Sequence, residues 1–243
     1  MRHHLLLVLL PSCLAMAAEP LIPGSTSTLT AVYEKPFDDR ITVGDQQGTW
    51  TRAERYGVQF LIEEQDRRIA PCGGVLVAWD ERAAEFSMGG SIDTHALVTD
   101  LVGGGRFHLF DPEAGRTLDP SLALMGRAGI GFQNGNITNL YTPYGMASGE
   151  VQPIRYEFGL VAEGRVEIAR GLSLTAGVGT TWWFANKSTT LVIGTQPPPA
   201  SQRPPAASPY QSSSQGGYGA TATVSAENLG SEAWFQVGAG WRF

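Results

Sequence analysis

Residues 154–168 read IRYEFGLVAEGRVEI. Ile154, Tyr156, Phe158, Leu160, Ala162, Gly164, Val166 and Ile168 alternate with Arg155, Glu157, Gly159, Val161, Glu163, Arg165 and Glu167. Successive side chains of a β-strand point to opposite faces, so an extended chain here has one apolar and one charged face. A helix, at about 3.6 residues per turn, would spread both sets around its circumference. After the turn Ala169-Arg170-Gly171 the alternation resumes through Leu172, Leu174, Ala176, Val178, Thr180, Trp182 and Phe184. The spacing predicts a hairpin.

The same period of two recurs upstream. Tyr56, Val58, Phe60 and Ile62 alternate with Arg55, Gly57, Gln59, Leu61 and Glu63, and Val75, Val77 and Trp79 with Leu76, Ala78 and Asp80. Leu97 to Leu109 and Leu122 to Phe132 repeat the pattern. The predicted strands are one within 26–48, where 26–33 and 40–44 compete for it, then 54–64, 73–84, 95–110, 121–133, 154–168, 172–194 and 217–243. Many are close to the roughly 9 to 11 residues a tilted strand needs to cross a bilayer. The set is even, as a closed barrel with both ends on one side requires. The expected fold is all-β, an antiparallel up-and-down transmembrane β-barrel of about eight strands.

The chain closes with Ala233, Phe235, Val237, Ala239, Trp241 and Phe243 on one face, against Trp234, Gln236, Gly238, Gly240 and Arg242 on the other. An apolar alternating final strand ending on phenylalanine resembles the C-terminal signature of bacterial outer-membrane β-barrels. By pattern, most of the chain after the leader is similar to the small eight-stranded barrels of the OmpA and OmpX type. That resemblance implies residence in the outer membrane, contact with its lipid, and recognition of Phe243 by the barrel assembly machinery.

The N-terminus carries Arg2, an apolar run from Leu5 to Leu10 and the small-x-small sequence Ala15-Met16-Ala17. These features predict a signal peptide over 1–18 and export of 19–243 as a single barrel domain. The apolar run is too short for a membrane helix and is interrupted by Pro11. The same proline argues against a lipoprotein signal at Cys13. Once the leader is removed Cys72 is the one remaining cysteine, so no intramolecular disulfide can form. A net charge of −6 with scattered lysines and arginines is not the basic footprint of a nucleic-acid binder.

Counting back from a periplasmic C-terminus makes 169–171 and 111–120 periplasmic turns, and 134–153 and 195–216 outer loops. The segment 195–216 is rich in proline and serine, a composition that neither pairs in a sheet nor fills a core. The face turned away from lipid should carry Arg55, Arg82, Arg106, Arg127, Arg155, Arg165 and Arg242 against Glu63, Asp80, Asp100, Glu157, Glu163 and Glu167. An eight-stranded barrel is just wide enough for its side chains to fill, so near-balanced charges predict a plugged lumen. A selective channel would show an excess of one sign. Tyr141, Tyr144, Tyr156, Trp182 and Trp183 on one side, with Trp241 and Phe243 on the other, are expected to mark the membrane interfaces.

Beyond the leader the histidines are His95 and His108, and neither has an adjacent serine that would suggest a triad. One cysteine and two distant histidines offer no metal-ligand spacing. Gly103-Gly104-Gly105 lacks the Lys-Ser/Thr ending of a phosphate loop. The sequence therefore nominates no catalytic, cofactor-binding or metal residue. It predicts a non-enzymatic outer-membrane barrel with a structural or surface-interaction role, and leaves an extracellular ligand open. A small pore or transport barrel, or a lipid-modifying outer-membrane enzyme, is the competing expectation.

Overall fold

The computed structural model describes residues 22, 24–43, 46–64, 67–110, 120–142, 145–151, 154–169, 171–185, 189–193, 220–224 and 230–243, and none of them is helical. The strands are β1 (Ser25–Pro36), β2 (Arg40–Val43), β3 (Gln46–Glu64), β4 (Ile69–Phe86), β5 (Ser91–His108) and β6 (Pro120–Thr142). They continue with β7 (Gly145–Val151), β8 (Ile154–Ala169), β9 (Leu172–Ala185), β10 (Thr189–Ile193), β11 (Ala220–Val224) and β12 (Gly230–Arg242). The expected leader, the 111–119 part of the expected turn and the proline-rich segment 195–216 lie outside the described residues.

Eight strands form a ring of antiparallel neighbours in the order β1-β3-β4-β5-β6-β8-β9-β12, with β12 returning to β1. The closing pair runs from Thr28 opposite Arg242 to Pro36 opposite Trp234. Reciprocal backbone bonds between Ser27 and Phe243, 3.0 and 2.9 Å long, extend it. No ring strand is left with a free edge, and backbone donors and acceptors are spent within the sheet. The end holding Phe243 and the β8–β9 turn is called the base below, and the opposite end the rim.

Beyond the rim the sheet continues. β2 pairs with the start of β3, the far half of β6 pairs with β7, and β10 joins β7 to β11. Phe86, Ile92, Ile137, Leu140 and Ala147 pack into an apolar cluster of their own, flanked by Ile41. The expected outer loop at 134–153 is therefore largely strand: β6 runs on to Thr142 and turns back as β7. Burial of Ile137, Leu140 and Ala147 holds it in the sheet, and a register shift between Ile137 and Leu140 places Asn139 at φ 52°.

The competition for the first strand resolves by division of labour. Ser25–Pro36 is the ring member, while Arg40–Val43 forms a separate outer pair with β3. The expected strands 172–194 and 217–243 are each two strands, with β10 and β11 pairing outside the ring. β3 through β5 also begin or end several residues beyond the apolar alternation, because polar positions such as Thr49 and Glu85 pair equally well through their backbones.

The ring is inverted relative to a water-soluble core. Leu101, Leu124, Phe132, Phe158, Leu160, Leu174, Val178, Trp182 and Val237 are exposed on its outside. Glu63, Asp80, Asp100, Arg106, Arg127, Glu157, Glu163 and Arg165 are buried inside.

Candidate functional site

The period of two carries the charged residues inward, and the ring brings strands from opposite walls within reach of one another. Near the base, Glu63 of β3 is a hub. It accepts hydrogen bonds from Arg106 Nε at 3.0 Å and Arg165 Nη2 at 2.6 Å, and His108 Nε2 stands 3.4 Å away. Arg106 also reaches Glu163 at 2.6 Å and the Ser121 hydroxyl at 3.3 Å. Gln236 donates to the other Glu163 oxygen at 2.7 Å. Two guanidiniums and two carboxylates from β3, β5 and β8 thus pair with one another in a buried layer.

Nearer the rim lies a second layer. Arg55 donates to Glu157 at 2.5 Å and Asp100 at 3.1 Å, and Arg155 donates to Asp80 at 2.5 Å. Arg127 bonds Glu34 at 2.7 Å and the Thr181 hydroxyl at 2.6 Å. Its guanidinium sits 4.3 Å above the Trp234 ring, and Trp234 Nε1 donates to the same Thr181 oxygen at 2.9 Å. At the top, Arg82 bridges Asp80 and Glu232, with Trp50 and Trp183 beside its guanidinium. A cavity of about 10 Å³ opens within this layer, its wall including Arg55, Arg127, Arg155, Glu157 and Trp234.

Between the layers runs an apolar belt of Val32, Leu61, Leu76, Val102, Met125 and Val161. On β3 Leu61 separates Arg55 from Glu63, on β5 Val102 separates Asp100 from Arg106, and on β8 Val161 separates Glu157 from Glu163. Close packing of these long side chains depends on glycine at particular points. A Cβ at Gly129 would lie 1.7 Å from Asp100 Oδ1, and one at Gly179 would lie 2.3 Å from the Trp234 ring.

The thirteen charged residues nominated from sequence are thus placed as follows. Arg55, Asp80, Arg82, Asp100, Arg127, Arg155 and Glu157 fall in the rim layer, and Glu63, Arg106, Glu163 and Arg165 in the base layer. Arg242 and Glu167 pair at 2.8 Å at the foot of the ring, where the arginine is one-third exposed. Sequence reasoning missed Glu34 and Glu232, which complete the rim layer, and the anchoring role of Trp234. The signal for Glu34 was present in the run Thr28, Thr30, Val32, Glu34, all buried on one face of β1.

Of the aromatics expected at the interfaces, Tyr156, Trp182 and Trp241 face outward, and Phe243 is half-buried at the base. Tyr156 and Phe158 both stack on Phe184, at 5.4 and 6.0 Å. Trp183 does not belong with them. It lines the interior cavity against Arg82 and Arg155, since two consecutive strand residues cannot share a face. A further outward row, Tyr33, Tyr56 and Trp79, is directly paired across β1, β3 and β4. The neighbouring row is polar, with Glu54 opposite Glu81 and Glu81 opposite His95. Trp79 donates to Glu81 at 3.0 Å and stacks on His95. His95 is therefore on the outer wall and His108 inside, on opposite faces of β5. The side chains of Tyr141 and Tyr144 are outside the described set.

Comparison of the chain with protein-family models and with curated proteins gave no match.

Proposed function

We propose that this chain is a non-enzymatic outer-membrane β-barrel whose ring spans the bilayer and whose lumen is plugged by paired charges, serving a structural or surface-interaction role. The observation that carries the reading is the inversion of the ring: leucine, phenylalanine and valine cover its outside while arginines and carboxylates fill its inside. In water such an outer face would be an aggregation surface. Against hydrocarbon it is the expected one, with backbone polar groups spent within a closed sheet.

The row Tyr33, Tyr56, Trp79 beside the polar row at Glu54, Glu81 and His95 supports a lipid boundary at that level. Amphipathic aromatic rings favour the headgroup region. A leader over 1–18 would take the chain across the inner membrane, and Phe243 would present it to the assembly machinery. The sheet beyond the rim is the part offered to the outside.

Refolding the chain with and without lipid vesicles, with unheated and boiled samples compared on gels and conductance recorded in planar bilayers, tests the reading. The expected result is lipid-dependent, heat-modifiable mobility without conductance. Folding without lipid would overturn the membrane assignment, and steady conductance would replace the plug with a pore. Deleting Phe243 is expected to impair assembly in cells, and unchanged insertion would remove it as a recognition element.

A further inference from the structure

The charged groups of the rim layer are short of hydrogen bonds in a way those of the base layer are not, the unpartnered buried atoms toward the base being, among the described residues, the hydroxyls of Ser27 and Thr175. Among the described residues, the buried charged side-chain atoms without a hydrogen-bond partner are Arg55 Nε, Arg127 Nε, Arg155 Nε, Asp100 Oδ1 and Glu157 Oε2, all in the rim layer. Their side chains are at most 7% exposed. Glu157 Oε2 lies 3.1 Å from Arg155 Nη2 but off the direction of a hydrogen bond. Arg127 Nε is 4.0 Å from Asp100 Oδ2, beyond a direct bond and within the span of one bridging molecule.

Arg55, Arg127, Arg155 and Glu157 also line the cavity of about 10 Å³. That volume is about what a single water occupies, and a buried water needs two to four polar partners. The chemistry of the wall selects among small occupants. An anion would accept from the Nε–H groups but would face Glu34, Glu157 and Glu232, while a cation would face the guanidiniums. A water can accept from two Nε–H groups and donate to Glu157 Oε2.

We infer that this cavity binds a single structural water as a member of the rim layer, whereas the base layer around Glu63 is dry. The inference rests on the interior geometry and stands apart from the membrane reading.

The test uses the full chain refolded in detergent micelles with 15N-labelled arginine, and water-selective NOE and ROE transfer to the arginine Hε protons. Transfer is expected to at least one of Arg55, Arg127 and Arg155, with the sign of a long-lived water. None is expected to Arg106, whose Nε is bonded to Glu63. Absence of transfer to all three, or equal transfer to Arg106, overturns the inference. So does a shift of those Hε signals when chloride is exchanged for gluconate, since the occupant would then be an anion. Lipid-independent folding would defeat the membrane proposal and leave this result standing.

Discussion

Around Glu63, two guanidiniums meet two carboxylates and Gln236 takes up the remaining Glu163 oxygen. Around Arg55, five carboxylates, from Glu34, Asp80, Asp100, Glu157 and Glu232, face four guanidiniums and leave polar atoms over. The same residue types therefore serve two purposes. The base layer is a closed circuit in which each group depends on the others, because a buried charge without its partner has nowhere to find solvation. The rim layer has slack, a cavity and side chains that approach the open end, as Arg82 and Glu232 do at 12% and 14% exposure. Pairing without slack fixes geometry; pairing with room to spare tolerates rearrangement.

The sharpest way to break this comparison is to make the same substitution in each layer. Glu63→Ala removes the carboxylate that Arg106 and Arg165 share, leaving Arg106 with Glu163 and Arg165 with the Thr28 hydroxyl, and is expected to cost about 3 to 5 kcal/mol in urea unfolding. Glu157→Ala removes a carboxylate that likewise serves two arginines, yet is expected to cost about 1 to 3 kcal/mol because water can enter to replace it. Equal losses would show that the layers do not differ in hydration. Gly179→Ala drives a methyl group into Trp234 and should cost about 1 to 3 kcal/mol by overpacking, with a changed Trp234 fluorescence environment. An unchanged unfolding midpoint would mean that Trp234 is not held as described. The smallest effect belongs to Glu232→Gln at the rim, about 0 to 1 kcal/mol and fading as salt is raised. A larger, salt-insensitive loss would place the Arg82 bridge in the dry part of the interior.

How far this arrangement was legible in the sequence varied along the chain for physical reasons. β8 and β9 were readable because Ile154–Ile168 alternates hydrophobic and charged side chains at high contrast, and a turn of two or three residues fixes the hairpin. β1 was ambiguous because its inward residues near the base are Thr28 and Thr30, too weakly polar to reveal a phase. With the phase of β1 missing, Glu34 could not be counted with the interior charges. Trp183 was misplaced for the opposite reason: an aromatic residue reads as apolar, while its face can accept a guanidinium as it does for Arg82. The extension beyond the rim was hidden because pairing there depends on burial of Ile137 and Leu140 against Phe86, residues distant in sequence.

The strict opposition of the two faces also governs which length changes the chain can accept. Inserting one residue into the middle of β8 shifts everything beyond it by half a period. Arg165 and Glu167 would then face outward while Val166 and Ile168 entered the ionic interior, so both faces fail together. An insertion of two residues restores the phase and shifts only the pairing partners along the strand. The same single-residue change near Ile137–Leu140, where the β6–β7 ladder already carries a shift, meets a backbone that accommodates an irregularity. In-frame insertions and deletions should therefore accumulate beyond the rim and be purged from the ring, a pattern of evolutionary tolerance written by alternation itself.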